Sequence, residues 1–291
     1  MNVTFIGLGI MGSRMARNLL SHPDVTLTVY NRSPDPIRAL QEQGAHAAES
    51  ASQAVREADL VITMLASPEV VNTVALGDHG FLSAMPENAL WMDCSTVNPS
   101  FTDRAAQAAK QQGIRFMDAP VAGTREPAEK GELTFLVGGS KDDFAQVESL
   151  LQTMGSKIVH VGETGRGSSL KMLVNAMLAQ SMLAFAETTH LGEKLGFSRD
   201  FLMDTLPKLP VTAPFLTGKA ELIRSGNFDA QFPMELMYKD LHLLAQTAYE
   251  HQQPLYLANL AKEVYGSATA NGYERKDFAA VFEALTTNTA S

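Results

Sequence analysis

Hydrophobic and polar positions alternate in short blocks along the first half of the chain. Residues 3–9, VTFIGLG, read as a strand entering a glycine turn, and the segment behind it sets Met11, Met15 and Leu19 at four-residue spacing beside Ala16 and Leu20. This pattern predicts strand, turn and helix, and the run VTLTVYN from Val25 adds a second strand that completes a βαβ unit of about 30 residues. Further strands are predicted at LVITML from Leu60, ALWMDCS from Ala89, RFMDAPV from Arg115, LTFLVGG from Leu133 and KIVHVG from Lys157. Helical or polar stretches separate most of them, so the expected class is α/β, a doubly wound and mostly parallel sheet with helices on both faces.

After Gly167 the texture changes. From Ser168 to about Leu195 there is no proline and no glycine before Gly192, while Leu170, Leu173, Met177, Leu178, Met182 and Phe185 keep a helical period. A long helix is expected here, apolar enough to be buried on more than one side. The remaining segments are helical patterns punctuated by proline and glycine, which predicts an all-α second domain. The expected division is residues 1–163 and 164–291, with the last strand passing directly into the long helix. Met177, Met182, Met234 and Met237 read as helix packing.

Composition narrows the function classes. The 291 residues are 45% hydrophobic and 19% charged, enough for a substantial core, and the net charge of −9 offers no electrostatic footprint for nucleic acid. The single cysteine, Cys94, excludes an intrachain disulfide, and the seven histidines form no compact ligand cluster, so no metal is expected. The apolar N-terminus lacks a basic n-region and a small-residue cleavage site, so neither export nor a membrane anchor is expected and the cytoplasm is the expected compartment.

The first candidate chemistry is Gly7-Leu8-Gly9-Ile10-Met11-Gly12, a G-x-G-x-x-G immediately after a strand and at the mouth of a helix. An isolated match of this kind is often only a turn. Here the strand, helix and second strand all stand at the distances a dinucleotide site requires. About 20 residues further on, where a carboxylate would grip the ribose hydroxyls of NAD, the chain has Asn31-Arg32-Ser33 and no acid before Asp35. Two neutral hydrogen-bonding groups and a guanidinium fork suit the 2′-phosphate of NADP, although a polar turn with a solvated arginine has the same composition. NADP(H) is the expected cofactor.

Taken in order, FIGLGIMGSRMARNLL, ITMLASPEVV, MDCSTVNPS, DAPVAGT and the G-x-G-x-x-x-K-x-x-x-N of Gly165, Gly167, Lys171 and Asn175 resemble the β-hydroxyacid dehydrogenases, the 3-hydroxyisobutyrate dehydrogenase-like family, over almost the whole chain. The loop DAPVAGTREPAEKGELTFLVGG together with the NRS segment is most similar to the glyoxylate and succinic semialdehyde reductase branch. The resemblance implies a Rossmann domain followed by a helical domain through which homo-oligomers, dimers or tetramers, assemble. It implies cofactor contacts from the glycine loop, from Met64 and Leu65, and from Thr96 and Lys239. For the substrate it implies Ser95, a carboxylate cradle at Ala122, Gly123 and Thr124, and contacts from Lys171, Asn175, Phe232 and Asp240. Ala122 stands where many relatives carry serine, which removes one hydroxyl donor from the cradle.

The residues themselves are compatible with this reading. Lys171 and Asn175, four positions apart on the long helix, share one face. An ammonium there can hydrogen-bond a carbonyl oxygen and donate a proton as hydride reaches the carbon. Lysine more often lies solvated at a surface, and the glycine pair, the apolar helix and the resemblance reverse that expectation. Lys239 and Asp240, adjacent in sequence, are not expected to share one side of a helix.

The expected activity is that of an NADPH-dependent reductase of small carboxylated aldehydes, an oxidoreductase acting on CH–OH groups, with glyoxylate and succinic semialdehyde as leading substrates. The open alternatives are another β-hydroxyacid dehydrogenase, acting on 3-hydroxyisobutyrate, tartronate semialdehyde or a sulfonated aldehyde, and a non-enzymatic NADP-binding sensor or scaffold.

Overall fold

Among the described residues nine strands form one sheet in the order β3-β2-β1-β4-β5-β6-β8-β7, with β9 also pairing with β8. The computed structural model of the protein describes residues 1–287. The strands are β1 (Asn2–Ile6), β2 (Thr26–Tyr30), β3 (His46–Ala47), β4 (Leu60–Thr63), β5 (Leu90–Asp93), β6 (Arg115–Asp118), β7 (Val121–Ala122), β8 (Leu133–Gly138) and β9 (Gly155–Gly162). Pairing from β3 through β6 is parallel; β8 runs antiparallel to β6 and β7 and parallel to β9.

Side chains of the central strands alternate between two cores, as a sheet covered on both faces requires. Val3, Phe5, Leu60, Ile62, Leu90 and Met92 enter one core with Met15, Ala16 and Leu19 of helix α1 (Gly12–Leu19). Ile6, Val61 and Trp91 enter the other with Phe101, Ala105 and Ala109 of α5 (Pro99–Gln111). Between these helices come α2 (Pro34–Gln41), α3 (Ala51–Ala54) and α4 (Pro68–Val71), and beyond them α6 (Arg125–Lys130) and α7 (Lys141–Met154). The doubly wound expectation holds, and two details differ from it. RFMDAPV is two strands, because Pro120 has no N–H to offer a continuous ladder and the chain breaks there before β7. The two-residue β3, both of its residues exposed, carries no hydrophobic signal that a pattern could detect.

The predicted long helix is α8 (Arg166–Lys194), followed by α9 (Arg199–Thr205), α10 (Leu216–Ser225), α11 (Met234–Glu250), α12 (Tyr256–Ala268) and α13 (Val281–Thr287). The chain divides into two compact units, one ending at Lys171 and the other beginning at Met172, so the first turns of α8 belong with the sheet. In the helical unit, Met172, Met182, Phe185, Met234, Met237, Leu241 and Tyr265 build a common core. Met177 does not join it; with Leu173 and Leu191 it is exposed, which corrects the reading of Met177 as helix packing. By length and composition α8 is apolar enough to cross a membrane, and 44% of its most apolar window is buried within the protein.

Candidate functional site

In the sheet unit the strand order reverses between β1 and β4, the place where an open parallel sheet leaves a crevice beyond the carboxyl ends of its strands. The glycine loop lies directly after β1. Gly7 has φ +99°, and a Cβ there would stand 2.4 Å from the Met64 carbonyl oxygen. At Gly12 a Cβ would stand 1.9 Å from the Gly7 carbonyl oxygen, so the start of α1 is drawn against the turn. Gly9 is exposed, and a Cβ there would meet nothing within 4 Å. Two glycines thus close the turn and the third leaves open space at a helix N-terminus, an arrangement that fits a pyrophosphate. Leu8 is buried in the sheet core, while Ile10 and Met11 remain at least partly accessible at the loop.

The adenosine end shows a division of labour within Asn31-Arg32-Ser33. Asn31 turns inward: its Oδ1 accepts the Leu8 N–H at 3.0 Å and its Nδ2 donates to the Ser33 carbonyl at 3.1 Å. It therefore braces the glycine loop with both ends of its amide. Arg32 is exposed, and no hydrogen bond or ion pair of its side chain is found among the described residues. Ser33 occupies the N-cap position of α2 without a side-chain capping bond, so its hydroxyl stays available beside the positive end of that helix.

Beyond β4 and β5, Leu65 N–H donates to Ser95 Oγ at 2.9 Å, tying the loop of Met64 and Leu65 to that of Ser95 and the half-buried Thr96. Ser95 N–H in turn donates to Asp93 Oδ1 at 3.0 Å, and Thr63 Oγ1 donates to the same oxygen at 2.8 Å while accepting Trp91 Nε1–H at 2.9 Å. Burial pushes the Asp93 carboxyl up to about 6, against the hydrogen bonds from Ser95 and Thr63 that lower it; Asp118, paired with it across β5 and β6, adds like charge.

This shift has a sign. A carboxyl raised above its ordinary 3.8 is held protonated more tightly by the folded chain, so its contribution to stability is greatest below pH 3.8 and falls as pH rises towards about 6. Above that the cost is on the order of 3 kcal/mol. Asp93→Asn is expected to remove this dependence. In thermal denaturation the difference in melting temperature between variant and parent should grow in the variant's favour from pH 4 to pH 7; a difference independent of pH would contradict the assignment.

The substrate-loop candidates follow β7. Ala122 ends that strand, paired with Thr134, and its methyl is half-buried. Gly123 has φ +130°, and a Cβ there would stand 2.7 Å from Leu133 Cδ2, so only glycine suits the turn. The N–H groups of Gly123 and Thr124 lie beyond the β7 ladder, and Thr124 precedes α6 without a side-chain capping bond. Lys171 lies on α8 with 7% of its surface exposed, and Asn175 follows it by about one helical turn.

In the helical unit, Asn175 Nδ2 donates to Asp240 Oδ2 at 2.5 Å, and the Asn175 Oδ1 atom is buried without a hydrogen-bond partner. Lys239 Nζ stands 2.8 Å from Asp240 Oδ1. Their Cβ atoms diverge around α11, and the four-carbon stem of lysine is long enough to fold back to the carboxylate. Phe232 is half-buried and packs edge-on against Phe278, with ring centres 5.7 Å apart. Sequence reasoning missed the two buried aspartates, Asp93 and Asp118. Both stand inside the motifs MDCSTVNPS and DAPVAGT, each as the last residue of its strand.

Residues 2–162 match the family model described as the NAD binding domain of 6-phosphogluconate dehydrogenase. Residues 165–285 match the one described as NAD-binding of NADP-dependent 3-hydroxyisobutyrate dehydrogenase. The chain is 36% identical to mitochondrial 3-hydroxyisobutyrate dehydrogenase of Mus musculus, over 97% of this chain and 86% of that protein. It is 32% identical to the chloroplastic glyoxylate/succinic semialdehyde reductase 2 of Arabidopsis thaliana, over 98% of this chain and 79% of that protein. Among solved structures, Mycobacterium tuberculosis 3-hydroxyisobutyrate dehydrogenase with L-serine superposes with a TM-score of 0.88 at 29% identity, covering 98% of each chain.

Proposed function

The chain belongs to the β-hydroxyacid dehydrogenase family of NAD(P)-dependent oxidoreductases acting on CH–OH groups, and from that premise we propose that it reduces small aldehydes bearing a carboxylate, using NADPH. Glyoxylate and succinic semialdehyde are the leading substrates, and the Arabidopsis relative supports that choice. The observation that carries the reading is Lys171, a buried ammonium in the same compact unit as the nucleotide loop.

The cofactor, when bound by the loop of Gly7 to Gly12, supplies the hydride. The N–H groups of Gly123 and Thr124 and the Thr124 hydroxyl hold the substrate carboxylate. Ser95, anchored through its Oγ, keeps its hydroxyl hydrogen to donate to the substrate, and Thr96 borders the cofactor ring. Lys171 donates a hydrogen bond to the carbonyl oxygen and then the proton that completes the alcohol, so negative charge never accumulates on an unpartnered oxygen. Within the helical unit, Asn175 is oriented by Asp240 through its Nδ2 and keeps an unpartnered Oδ1. Lys239 holds Asp240 as its counter-ion.

With deuterium at both C4 positions of NADPH, one deuterium is expected at the carbinol carbon of the product by mass spectrometry; unlabelled product would remove direct hydride transfer. NADPH is preferred because Arg32 and Ser33 stand free at the start of α2 where an acid would select NAD. Arg32→Ala is expected to lower kcat/KM for NADPH by about 10- to 100-fold, the loss of a charge-assisted hydrogen-bonding group, and to leave that for NADH within a few-fold. Equal losses with both cofactors would place Arg32 away from the phosphate. A second reading, oxidation of 3-hydroxyisobutyrate, is favoured by the higher identity to the mouse enzyme.

We also propose that the chain forms a homo-oligomer through its helical unit. Leu173, Met177 and Leu191 lie exposed along α8, with Tyr256, Leu257 and Leu260 exposed at α12. Water-facing apolar rows of this kind are what an obligate interface covers. Sedimentation velocity is expected to show a dimer or tetramer that Met177→Glu weakens, and a monomer in the parent would count against this assembly.

A further inference from the structure

We infer that Asp118 is a positioning residue for the reaction: its carboxylate fixes the start of α8 and so the direction from which Lys171 meets the substrate. This rests on the reading of Lys171 as proton donor. Asp118 is the last residue of β6 and is buried. Its Oδ1 accepts the Gly165 N–H at 2.6 Å and its Oδ2 accepts the Ser168 N–H at 2.6 Å. Because α8 begins at Arg166, the Ser168 N–H is one of the first-turn donors that find no acceptor within the helix.

Helices usually satisfy such donors with a side chain at their own N-cap. Here the residue before the helix is Gly165, at φ +89°, which has no side chain to give. The cap comes instead from 47 to 50 residues earlier, on a strand inside the sheet, and it brings a negative charge to the positive end of a 29-residue helix. The seat is close on both sides. A Cβ at Gly138 would lie 2.6 Å from Asp118 Oδ1, and one at Gly167 would lie 2.8 Å from Oδ2 and 2.2 Å from the Leu136 carbonyl oxygen. The Ser168 hydroxyl makes a further 2.9 Å bond with Thr102 Oγ1 of α5, so the same turn is tied to a second element.

Lys171 leaves the helix three residues after Ser168, about 4.5 Å further along the axis. A slip of one residue in the phase of this turn would swing its side chain by about 100° around the helix. Proton donation requires an approach within hydrogen-bond reach, and a misplacement of about 1 Å is enough to cost roughly 100-fold in rate. A cap that only stabilised the fold would change the amount of folded protein and leave the turnover of each folded molecule alone. A cap that aims Lys171 changes kcat.

The test compares three variants in the full-length chain, with active sites counted by NADPH titration. Asp118→Asn keeps the volume but sets an amide N–H or a single acceptor where two were used. It is expected to lower kcat by about 10- to 100-fold with the NADPH dissociation constant unchanged and the KM for aldehyde within a few-fold. Asp118→Ser, which keeps one acceptor oxygen in a smaller side chain, is expected to give the same split and carries the test should Asp118→Asn not fold. Lys171→Ala is the reference. Parental kcat per site in Asp118→Asn or Asp118→Ser overturns the positioning role. Parental kcat in Lys171→Ala overturns the proton-donor reading beneath it, so the two failures are told apart.

Discussion

Lys171→Ala is expected to lower kcat by about a thousandfold, the usual contribution of a positioned general acid, while NADPH still binds and the protein still melts cooperatively. The separation is expected because the loop proposed to hold the nucleotide is braced by contacts other than this side chain. The glycine turn is closed by the backbone of Gly7 and Met64, and Asn31 braces it through the Leu8 N–H. Truncation also removes a buried ammonium, so no counter-charge is required for the variant to fold. Stopped-flow oxidation of NADPH with saturating aldehyde reads the rate, and quenching of intrinsic fluorescence reads cofactor binding. Loss of both together would mean that Lys171 supports the fold, and retention of near-parental kcat would move the proton donor elsewhere.

The largest expected effect on stability lies at Lys219. Its ammonium bonds both oxygens of Asp277, at 2.8 and 3.0 Å, and stands 4.7 Å from the centre of the Phe278 ring. Both residues are buried, and desolvation holds the lysine below its ordinary range although Asp277 opposes that shift. Asp277 also accepts the N–H groups of Gln231, Phe232 and Ala279, so it clasps the segment that leads into α11. Lys219→Met fills the volume and leaves that carboxylate buried without a counter-ion, which is expected to cost about 3 to 5 kcal/mol. Urea unfolding followed by circular dichroism measures it. A loss below about 1 kcal/mol would mean that the three N–H donors alone support Asp277.

How far the sequence carried the description follows from what each element buries. Strands β4 and β5 are covered on both faces, so they read as continuous apolar runs and their positions were legible within a residue or two. The start of α8 was placed two residues late because its cap is not local: no pattern of neighbours announces a carboxylate 47 to 50 residues away. Apolar periodicity likewise identifies α8 as a helix without saying which apolar side chains the chain itself covers. Met182 is buried and Met177 is exposed, five residues apart.

The candidate site shows the same limit. The glycines were legible because backbone geometry dictates residue type, whereas the inward turn of Asn31 was not, since an amide can serve a ligand or a loop equally well. The Lys239 to Asp240 ion pair escaped because spacing rules describe where Cβ atoms point and not how far a lysine can bend.

The most direct test of the central claim is the initial rate of NADPH and of NADH oxidation by the purified protein, with glyoxylate and succinic semialdehyde as separate substrates. Turnover of a carboxylated aldehyde with NADPH strongly preferred over NADH is the result this account predicts. Preference for NADH, or no turnover of either aldehyde at saturating NADPH, would contradict it.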